Sequence, residues 1–391
     1  MKAFLRYPYQ LLVIFYIVIG IALFLFSFTQ VDLSLTLSKA SVFQTFQKTF
    51  QHIGFYQRPL ATVWYLFILV LSYLTYIYAI YSGRKKLVTE KQVWRLVGIV
   101  VVLLVLSYPA FSYDMFNYMF TAKTVLVYHK NPYDVTPLQF AGVEPWLSFM
   151  HWTHLPSAYT PLWILLTLST YIFSFGYFLL LLWNIKVMVA AFYILAIWCI
   201  GKIGEKIDPA SKVLGMIIFA FNPLVIIETL VSGHNDIAMM ALALGAFYLF
   251  LIRHRLLSYM FLALSVAMKL MTIFLYPVAL LGWNPLFAVI AMVIGLILVI
   301  FQREVLSWYF LWIIPFIALV PQRKYIVWLA TAFSLGLLLR YAPYLYLGHW
   351  NDPVPTIKTW VTTAPILFVI LLIGVKEILT HRVRASRNSS P

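Results

Sequence analysis

The sequence predicts an all-α polytopic membrane protein, a bundle of about 11 to 13 transmembrane helices with shorter helices at the outer membrane surface. Of its 391 residues, 63% are hydrophobic and only 10% are charged, and the mean hydropathy is +0.91. Such a composition excludes an ordinary soluble domain. Apolar runs long enough to cross a bilayer recur along almost the whole chain, so we predict a single integral membrane domain over residues 1–391.

The distribution of basic residues predicts the orientation of the bundle. The formal charge is +16, but Lys and Arg are spread over short loops, as the positive-inside rule predicts, and we expect no nucleic acid partner. Residues 1–95 are predicted to form an amino-terminal hairpin of two retained spans, and residues 378–391 a basic cytoplasmic tail. The single cysteine, Cys199, can form no internal disulfide.

The apolar runs give an expected position for each span. Spans are predicted at residues 8–28, 61–82, 96–112, 178–201, 213–231, 237–252, 285–301, 306–320, 325–345 and 358–377, with a juxtamembrane or re-entrant helix at 161–175 and two short helices that meet near Lys269 in 256–282. This arrangement places two polar segments at the outer face. They are a large loop at 112–160, predicted to be catalytic, and the GHND hairpin at 232–236.

The large outer loop opens with SYDMFNYMFTAK, in which Asp114 directly follows an apolar run. A helix-end carboxylate that meets water at the interface would explain a lone Asp. However, Asn117 and Tyr118 lie three and four positions later, so on a helix they share a face with Asp114 and could orient a sugar or its hydroxyl. The aromatic residues of this loop fit a carbohydrate site and an interfacial belt equally well.

The second polar segment lies within FNPLVIIETLVSGHNDIAMM. A tight turn between two spans would explain one or two of its polar residues. Glu228, His234, Asn235 and Asp236 together are dense for such a hairpin, and ionisable residues at membrane depth are candidates for function. His234 and Asp236, with Asp114, leave open a divalent cation such as Mg²⁺ or Mn²⁺, although the ligands are too few to define a metal site.

Isolated cations within the predicted spans form the third group. Lys186 and Arg340 can be explained by snorkelling to the outer leaflet. Lys269, in MKLM, interrupts an apolar segment, where an unpaired cation costs about 3 kcal/mol. An anionic lipid phosphate would be a suitable partner for Lys269. Arg303, in QREVLSWYFLWIIP, could also reach a phosphate.

The order of these segments resembles the glycosyltransferase C (GT-C) superfamily, in particular its bacterial and archaeal polyprenyl-phosphate-mannose-dependent mannosyltransferases. The resemblance rests on SYDMFNYMFTAK, NPYDVTP, YTPLW, FNPL with a following Glu and GHND, MKLMTIFLYP and WYFLWIIP, which extend from about Tyr108 to Pro315. It implies a GT-C-like bundle and transfer of a sugar, mannose or another hexose, from a polyprenyl-phosphate donor to a glycan or lipid-linked acceptor outside the cytoplasm, in cell-envelope glycan biosynthesis. By position, the family's catalytic acidic residue corresponds to Asp114. The paired acidic motif of many relatives is not evident, because Met115 and Phe116 follow Asp114.

The residues fit this chemistry on independent grounds. An attacking hydroxyl needs a general base, and a carboxylate at the edge of low dielectric can have its pKa raised, so we predict Asp114 as the base. Fixed cations must stabilise the departing lipid phosphate, and Lys269, Arg340 and Arg303 are candidates. His234, Asn235 and Asp236 would position the acceptor or the sugar, with Glu228 supporting them.

Two other functions remain open at this point. A transporter or flippase of lipid-linked saccharides would use Lys269, Lys186 and Glu228 as a translocation relay, but such proteins often show internal symmetry, which this sequence lacks. A polymerase or ligase of lipid-linked glycans usually has its large outer loop late in the chain, whereas the largest predicted outer loop here lies early. The sequence therefore favours the transferase.

Overall fold

The computed structural model describes residues 7–388, with side chains through residue 380, and every regular element in this part is helical. The helices are α1 Pro8–Ser27, α2 Ser41–Tyr56, α3 Arg58–Arg84, α4 Glu90–Leu104, α5 Asp114–Leu126, α6 Pro161–Ile172, α7 Phe178–Ile207, α8 Lys212–Ala220, α9 Pro223–Val225, α10 Asp236–Leu251, α11 Arg255–Met268, α12 Tyr276–Leu280, α13 Pro285–Ile300, α14 Ile314–Ile317, α15 Lys324–Leu339, α16 Tyr341–Leu347 and α17 Val354–Asn388. A π-helical segment, Ile226–Val231, continues α9, and short 3-10 helices lie at Phe28–Gln30, Pro137–Phe140, Pro145–Phe149, Pro209–Ser211, Leu270–Leu275 and Ser307–Trp312.

Five helical segments in the described part are long and apolar enough to cross a membrane: Pro8–Gln30, Arg58–Arg84, Phe178–Ile207, Lys324–Leu347 and Val354–Thr380. A sixth span results if α8 and the α9 segment, bent by 51° relative to each other, count as one. These segments support a polytopic membrane protein. The expected 11 to 13 spans are not confirmed, because several predicted spans are helices of only 10–17 residues, too short to cross alone.

Proline and polar breaks explain where the shorter helices differ from the predicted spans. The third predicted span, 96–112, corresponds to α4, which begins with a capping box at Thr89 and ends at Leu104, ahead of Pro109. The segment 306–320 is a 3-10 helix followed by the four-residue α14. Residues 161–172 form the expected short helix, and two short helical segments meet at Lys269 as predicted.

The predicted cytoplasmic ends can be compared with the structure only in part. Lys2 and Arg6 lie outside the described residues, as do the side chains after residue 380 and residues 389–391 of the predicted tail. Helix α17 itself continues to Asn388. The subdivision into an amino-terminal hairpin, an outer loop and a tail therefore stays a prediction.

The most deeply buried part of the bundle holds the second polar segment. Helix α10 packs between α7 and α11, and the residues from Leu214 through Ala241 are all buried. Helix α5 lies beside α6 and α7 and brings the start of the predicted outer loop onto this centre. The site residues of the two predicted outer segments are thus brought together by packing, although they are far apart in the sequence.

Lys186 does not snorkel, contrary to the sequence interpretation. It is only 2% exposed, and its Nζ donates hydrogen bonds to the carbonyl and hydroxyl of Ser107, at 2.8 and 2.7 Å, and to the carbonyl of Val231 at 3.1 Å. Three protein acceptors therefore surround the buried Lys186 Nζ, which gives this polar group partners without a carboxylate. Lys186 therefore connects two segments, the one before Asp114 and the one before His234.

Candidate functional site

Asp114 is the first residue of α5, as the helical pattern of SYDMFNYMFTAK indicates. Its side chain is 21% exposed, and Tyr159 donates its hydroxyl to Oδ1 at 3.3 Å. Its backbone amide donates to the Ser112 hydroxyl at 3.2 Å. A carboxylate in the first helical turn is also stabilised by the helix dipole. Asp114 is therefore held in place while one edge remains accessible.

The GHND segment is folded inward against α5. Glu228 lies in the π-helical segment Ile226–Val231, a rare geometry that occurs frequently at functional sites. Gly233 has a φ of +78°, and a Cβ at this position would lie 2.2 Å from the Cε of Met115. Only glycine allows both this backbone conformation and this close approach. The turn thereby points the His234 side chain at Asp114.

His234 lies between two carboxylates. Its Nδ1 is 3.4 Å from Asp114 Oδ2 and its Nε2 is 3.3 Å from Glu228 Oε2, and its ring stacks on Trp308 with centroids 4.0 Å apart. Burial alone would lower the pKa of His234, but the two carboxylates outweigh burial and raise the pKa to about 9. The imidazolium is therefore the resident cation between Asp114 and Glu228 at neutral pH.

The pKa of Asp114 shifts in the direction opposite to the sequence expectation. Burial would raise the pKa of this carboxyl, but the His234 and Lys269 cations and the Tyr159 hydroxyl hold its pKa below the usual value. The sequence argument considered burial without knowing these partners. Asp114 is ionised at neutral pH, as a proton acceptor must be.

The remaining acidic residues each have a defined partner. Glu228 Oε1 accepts a hydrogen bond from Tyr341 at 2.9 Å. Asp236, whose side chain is fully buried, accepts from Lys269 Nζ at 2.8 Å and from the Trp312 indole at 2.5 Å on the same oxygen. Lys269 thus has a protein carboxylate as its partner, where the sequence analysis suggested a lipid phosphate.

Three further residues predicted to contact the substrate, Tyr118, Asn235 and Asn117, lie around the cluster. The Tyr118 hydroxyl accepts the backbone N–H of Asn235 at 3.4 Å, and the Tyr118 ring packs against Tyr159 and Trp163. Asn117, half-buried on the same helix, lies next to Tyr159. The face shared by Asp114, Asn117 and Tyr118 therefore meets the GHND turn.

A cavity of about 360 Å³ borders this cluster. Ser112 and Tyr113, directly before Asp114, line it, and so do Trp308 and Tyr341, which contact His234 and Glu228 respectively. The cavity and the carboxylate–histidine cluster therefore share a wall. Three cations also line the cavity, namely Arg58, Arg340 and Lys358, together with the acidic residues Asp32 and Glu304.

The two predicted arginines behave differently. Arg340 lines the cavity, with its side chain only 11% exposed. Arg303 is exposed and is not among the cavity-lining residues. Of the three predicted phosphate ligands, only Arg340 therefore lies in the cavity wall.

Both ring nitrogens of His234 face carboxylates, so the ring is paired with protein groups on both sides. Within residues 7–380, no group of three or more His, Cys, Asp or Glu side chains is arranged to hold a metal.

Sequence reasoning missed several residues of this site. The sequence singles out none of the aromatic residues Tyr159, Trp308 and Tyr341, because an interfacial belt explains such residues as well. It also gives no reason to separate Arg58 and Lys358 from the other loop charges. A possible signal was the recurrence of tyrosine or tryptophan near a cation, as in LLLRYAPY and TIKTW. Interfacial belts give the same pattern, so the signal alone could not have identified them.

The fold and the site together define a polytopic helical membrane protein with a buried carboxylate–histidine cluster beside a cation-lined cavity. A model of the MptA_B family, described as the N-terminal domain of alpha-(1->6)-mannopyranosyltransferase, matches residues 13–285. This match covers more than half of the chain, and the chain belongs to that GT-C type mannosyltransferase family. The match includes most of α1 and all of α3, whereas the motifs that carry the sequence resemblance begin at about Tyr108; it ends before WYFLWIIP. No curated protein and no solved structure matches the chain.

Proposed function

We propose that this membrane glycosyltransferase transfers mannose from a polyprenyl-phosphate donor to a hydroxyl of a glycan or glycolipid, on the extracytoplasmic face of the cell membrane. Membership of a mannosyltransferase family supports a sugar donor and acceptor in general. The polyprenyl-phosphate donor is what the sequence resemblance implies, and the cations Arg58, Arg340 and Lys358 of the cavity wall would suit its phosphate. The extracytoplasmic face is inferred from the distribution of Lys and Arg in the sequence.

The observation that carries the proposal is the position of Asp114. Its ionised carboxylate is paired with His234, is partly exposed, and directly follows the two cavity-lining residues Ser112 and Tyr113. A hydroxyl that enters from the cavity would give its proton to Asp114 as its oxygen bonds to the anomeric carbon. The bond from that carbon to the phosphate oxygen breaks, and the electron pair leaves with the lipid phosphate.

The other predicted site residues act around this step. His234 holds the Asp114 carboxylate in its ionised form, with Glu228 behind it. Arg340 meets the charge that develops on the departing phosphate. Lys269 and Asp236 fix the GHND turn from the opposite side. Tyr118 keeps α5 in register with this turn through its hydrogen bond to the Asn235 amide, and Asn117 supports Tyr159.

The transporter alternative gains no support from the geometry. A relay would require Lys269, Lys186 and Glu228 to exchange partners along one path. Their contacts are instead separate: Lys269 with Asp236, Glu228 with His234 and Tyr341, and Lys186 with Ser107 and Val231.

The test is mannosyl transfer by the purified protein in liposomes, with polyprenyl-phosphate mannose and an extract of membrane glycans as acceptor. Asp114→Asn keeps the size of the side chain but removes the base, so we expect transfer to fall about 100-fold or more. Asp134→Asn is the matched control, because Asp134 lies in the same loop, is exposed and contacts Asn131. Full transfer by folded Asp114→Asn would refute the role of Asp114. Movement of a lipid-linked saccharide across the liposome without transfer would favour the flippase.

A further inference from the structure

One acidic residue, Glu304, bridges two cations of the cavity wall. Its Oε1 accepts from the Arg340 guanidinium and from the Lys358 ammonium. The cations are 11% and 14% exposed, whereas the Glu304 side chain is 53% exposed. The carboxylate therefore reaches in from solvent, in a loop between α13 and the Ser307–Trp312 segment, while the cations belong to the wall.

Other groups hold the two cations independently of Glu304. Arg340 Nη1 also donates to the Thr362 hydroxyl at 3.1 Å. Lys358 Nζ lies 4.8 Å from the centre of the Trp350 ring, a cation–π contact, and Trp350 stacks on Tyr344 at 4.4 Å. If Glu304 rotated outward into water, Arg340 and Lys358 would therefore keep their places and face an anion-sized gap.

We propose that Arg340 and Lys358 form a phosphate-binding site, and that Glu304 occupies it as an internal competitor until a lipid phosphate displaces it. This inference rests on the proposed function and adds Lys358 and Glu304 to it. The Glu304 carboxylate is half exposed and regains water when it turns outward, so a phosphate can displace it at low cost. A phosphate monoester offers three oxygens to the guanidinium of Arg340 and the ammonium of Lys358. Glu304 contacts both cations through a single oxygen, Oε1.

The charges favour the lipid phosphate that leaves the reaction. A sugar-linked phosphodiester carries one negative charge, and a released phosphate monoester carries about −1.5 to −2 at neutral pH. With Glu304 turned outward, two fixed positive charges match the monoester better than the diester. The site would then stabilise the leaving group more than the donor, which is the condition for lowering a reaction barrier. Arg58 in the same wall adds a third positive charge, and Asp32 adds one negative charge.

A purely structural role for Glu304 predicts the opposite result. If Glu304 served to position Arg340 and Lys358, its removal would weaken phosphate binding. If Glu304 competes with the phosphate, its removal strengthens binding. The sign of the change therefore distinguishes the two roles.

The test is calorimetric titration of the full-length protein in nanodiscs with farnesyl monophosphate, with farnesol as the uncharged control and inorganic phosphate as the ligand without lipid. We expect Glu304→Gln to bind farnesyl phosphate about three- to tenfold more tightly than the wild type. Lys358→Gln and Arg340→Gln should each bind it more weakly than the wild type, by about threefold or more. Glu205→Gln is the matched control. Glu205 also bridges two cations, Lys202 and Lys212, but it does not line the cavity.

Two outcomes would overturn the inference: unchanged or weaker binding by folded Glu304→Gln, or equal binding of farnesol and farnesyl phosphate. Equal affinity for inorganic and farnesyl phosphate would overturn the assignment to a lipid. The assay contains no sugar, so it separates this inference from the proposed function. If the binding order is as expected but no mannose is transferred, the phosphate site stands and the transferase proposal fails. If transfer occurs but the binding order is absent, only this inference fails.

Discussion

The imidazole of His234 lies 3.4 Å from the carboxylate of Asp114, although the two residues come from different segments of the chain. The same ring lies 3.3 Å from Glu228 on its other side. One cation thus separates two carboxylates that would otherwise repel each other in a poorly solvated site. The charge of His234 is therefore a condition for keeping Asp114 ionised and in place.

We predict that stability and activity decline together as the pH rises through about 9, where His234 loses its proton. The folded-state pKa exceeds the usual value of 6.5, so the stabilisation is complete below about pH 6.5 and disappears above the folded pKa. It amounts to about 3 kcal/mol as an upper value. The measurement is the thermal unfolding midpoint and the transfer rate at several pH values from neutral to alkaline.

The variant His234→Gln should lack this alkaline transition, with lower stability than the wild type already at neutral pH, because Asp114 and Glu228 lose the cation between them. His254→Gln is the control, since His254 is exposed. A wild-type transition that persists unchanged in His234→Gln would mean that another group causes it.

The pair of Lys269 and Asp236 should respond asymmetrically to mutation. Asp236 is fully buried, whereas the Lys269 side chain is 34% exposed and can reach water. Lys269→Met leaves a buried carboxylate with one indole donor and should destabilise the protein by about 2–4 kcal/mol. Asp236→Asn retains an acceptor for Trp312 and frees a solvated ammonium, so its cost should be nearer about 1 kcal/mol.

A double-mutant cycle measures this coupling. The variant Lys269→Met with Asp236→Asn should be more stable than Lys269→Met alone, because the buried charge is gone. Lys130→Met, at an exposed position, controls for the loss of a lysine. Additive effects of the two substitutions on the unfolding free energy would contradict a buried ion pair.

The sequence predicted the helical membrane class and singled out most of the polar residues of the candidate cluster for clear physical reasons. Long apolar runs specify helices in a membrane, and Asp114, Glu228, His234 and Lys269 are conspicuous because ionisable groups are costly there. The position of Lys269 between two short helical segments could also be predicted, since Lys269 interrupts the apolar segment 256–282 near its middle.

The partners of these residues could not be predicted, because they depend on packing between distant segments. Nothing in MKLM indicates that Lys269 meets Asp236, and nothing in the sequence pairs Tyr341 with Glu228. The number of spans also stays unconfirmed, since hydropathy cannot distinguish a full span from a short apolar helix buried in the bundle. Tertiary contacts, which periodicity does not encode, decide both questions.

Lys186 should be essential for joining the two halves of the site. Lys186→Met preserves much of the volume but removes the three hydrogen bonds to the Ser107 carbonyl, the Ser107 hydroxyl and the Val231 carbonyl, at a cost of about 2–4 kcal/mol. Because Ser107 leads to Asp114 and Val231 leads to His234, the transfer rate should fall more than the affinity for the donor. Lys202→Met, on the same helix α7 but exposed, is the matched control.

The role of Lys186 in positioning the site also predicts a change that a general loss of stability would not give. If the Asp114 and His234 segments separate, the pKa of His234 should move down toward its ordinary value, because an adjacent carboxylate is what raises it. The alkaline limb of the rate profile of Lys186→Met should therefore shift to lower pH at a temperature where the variant is fully folded. An unshifted limb with a normal transfer rate would show that Lys186 supports the helices without positioning the carboxylate and the imidazole.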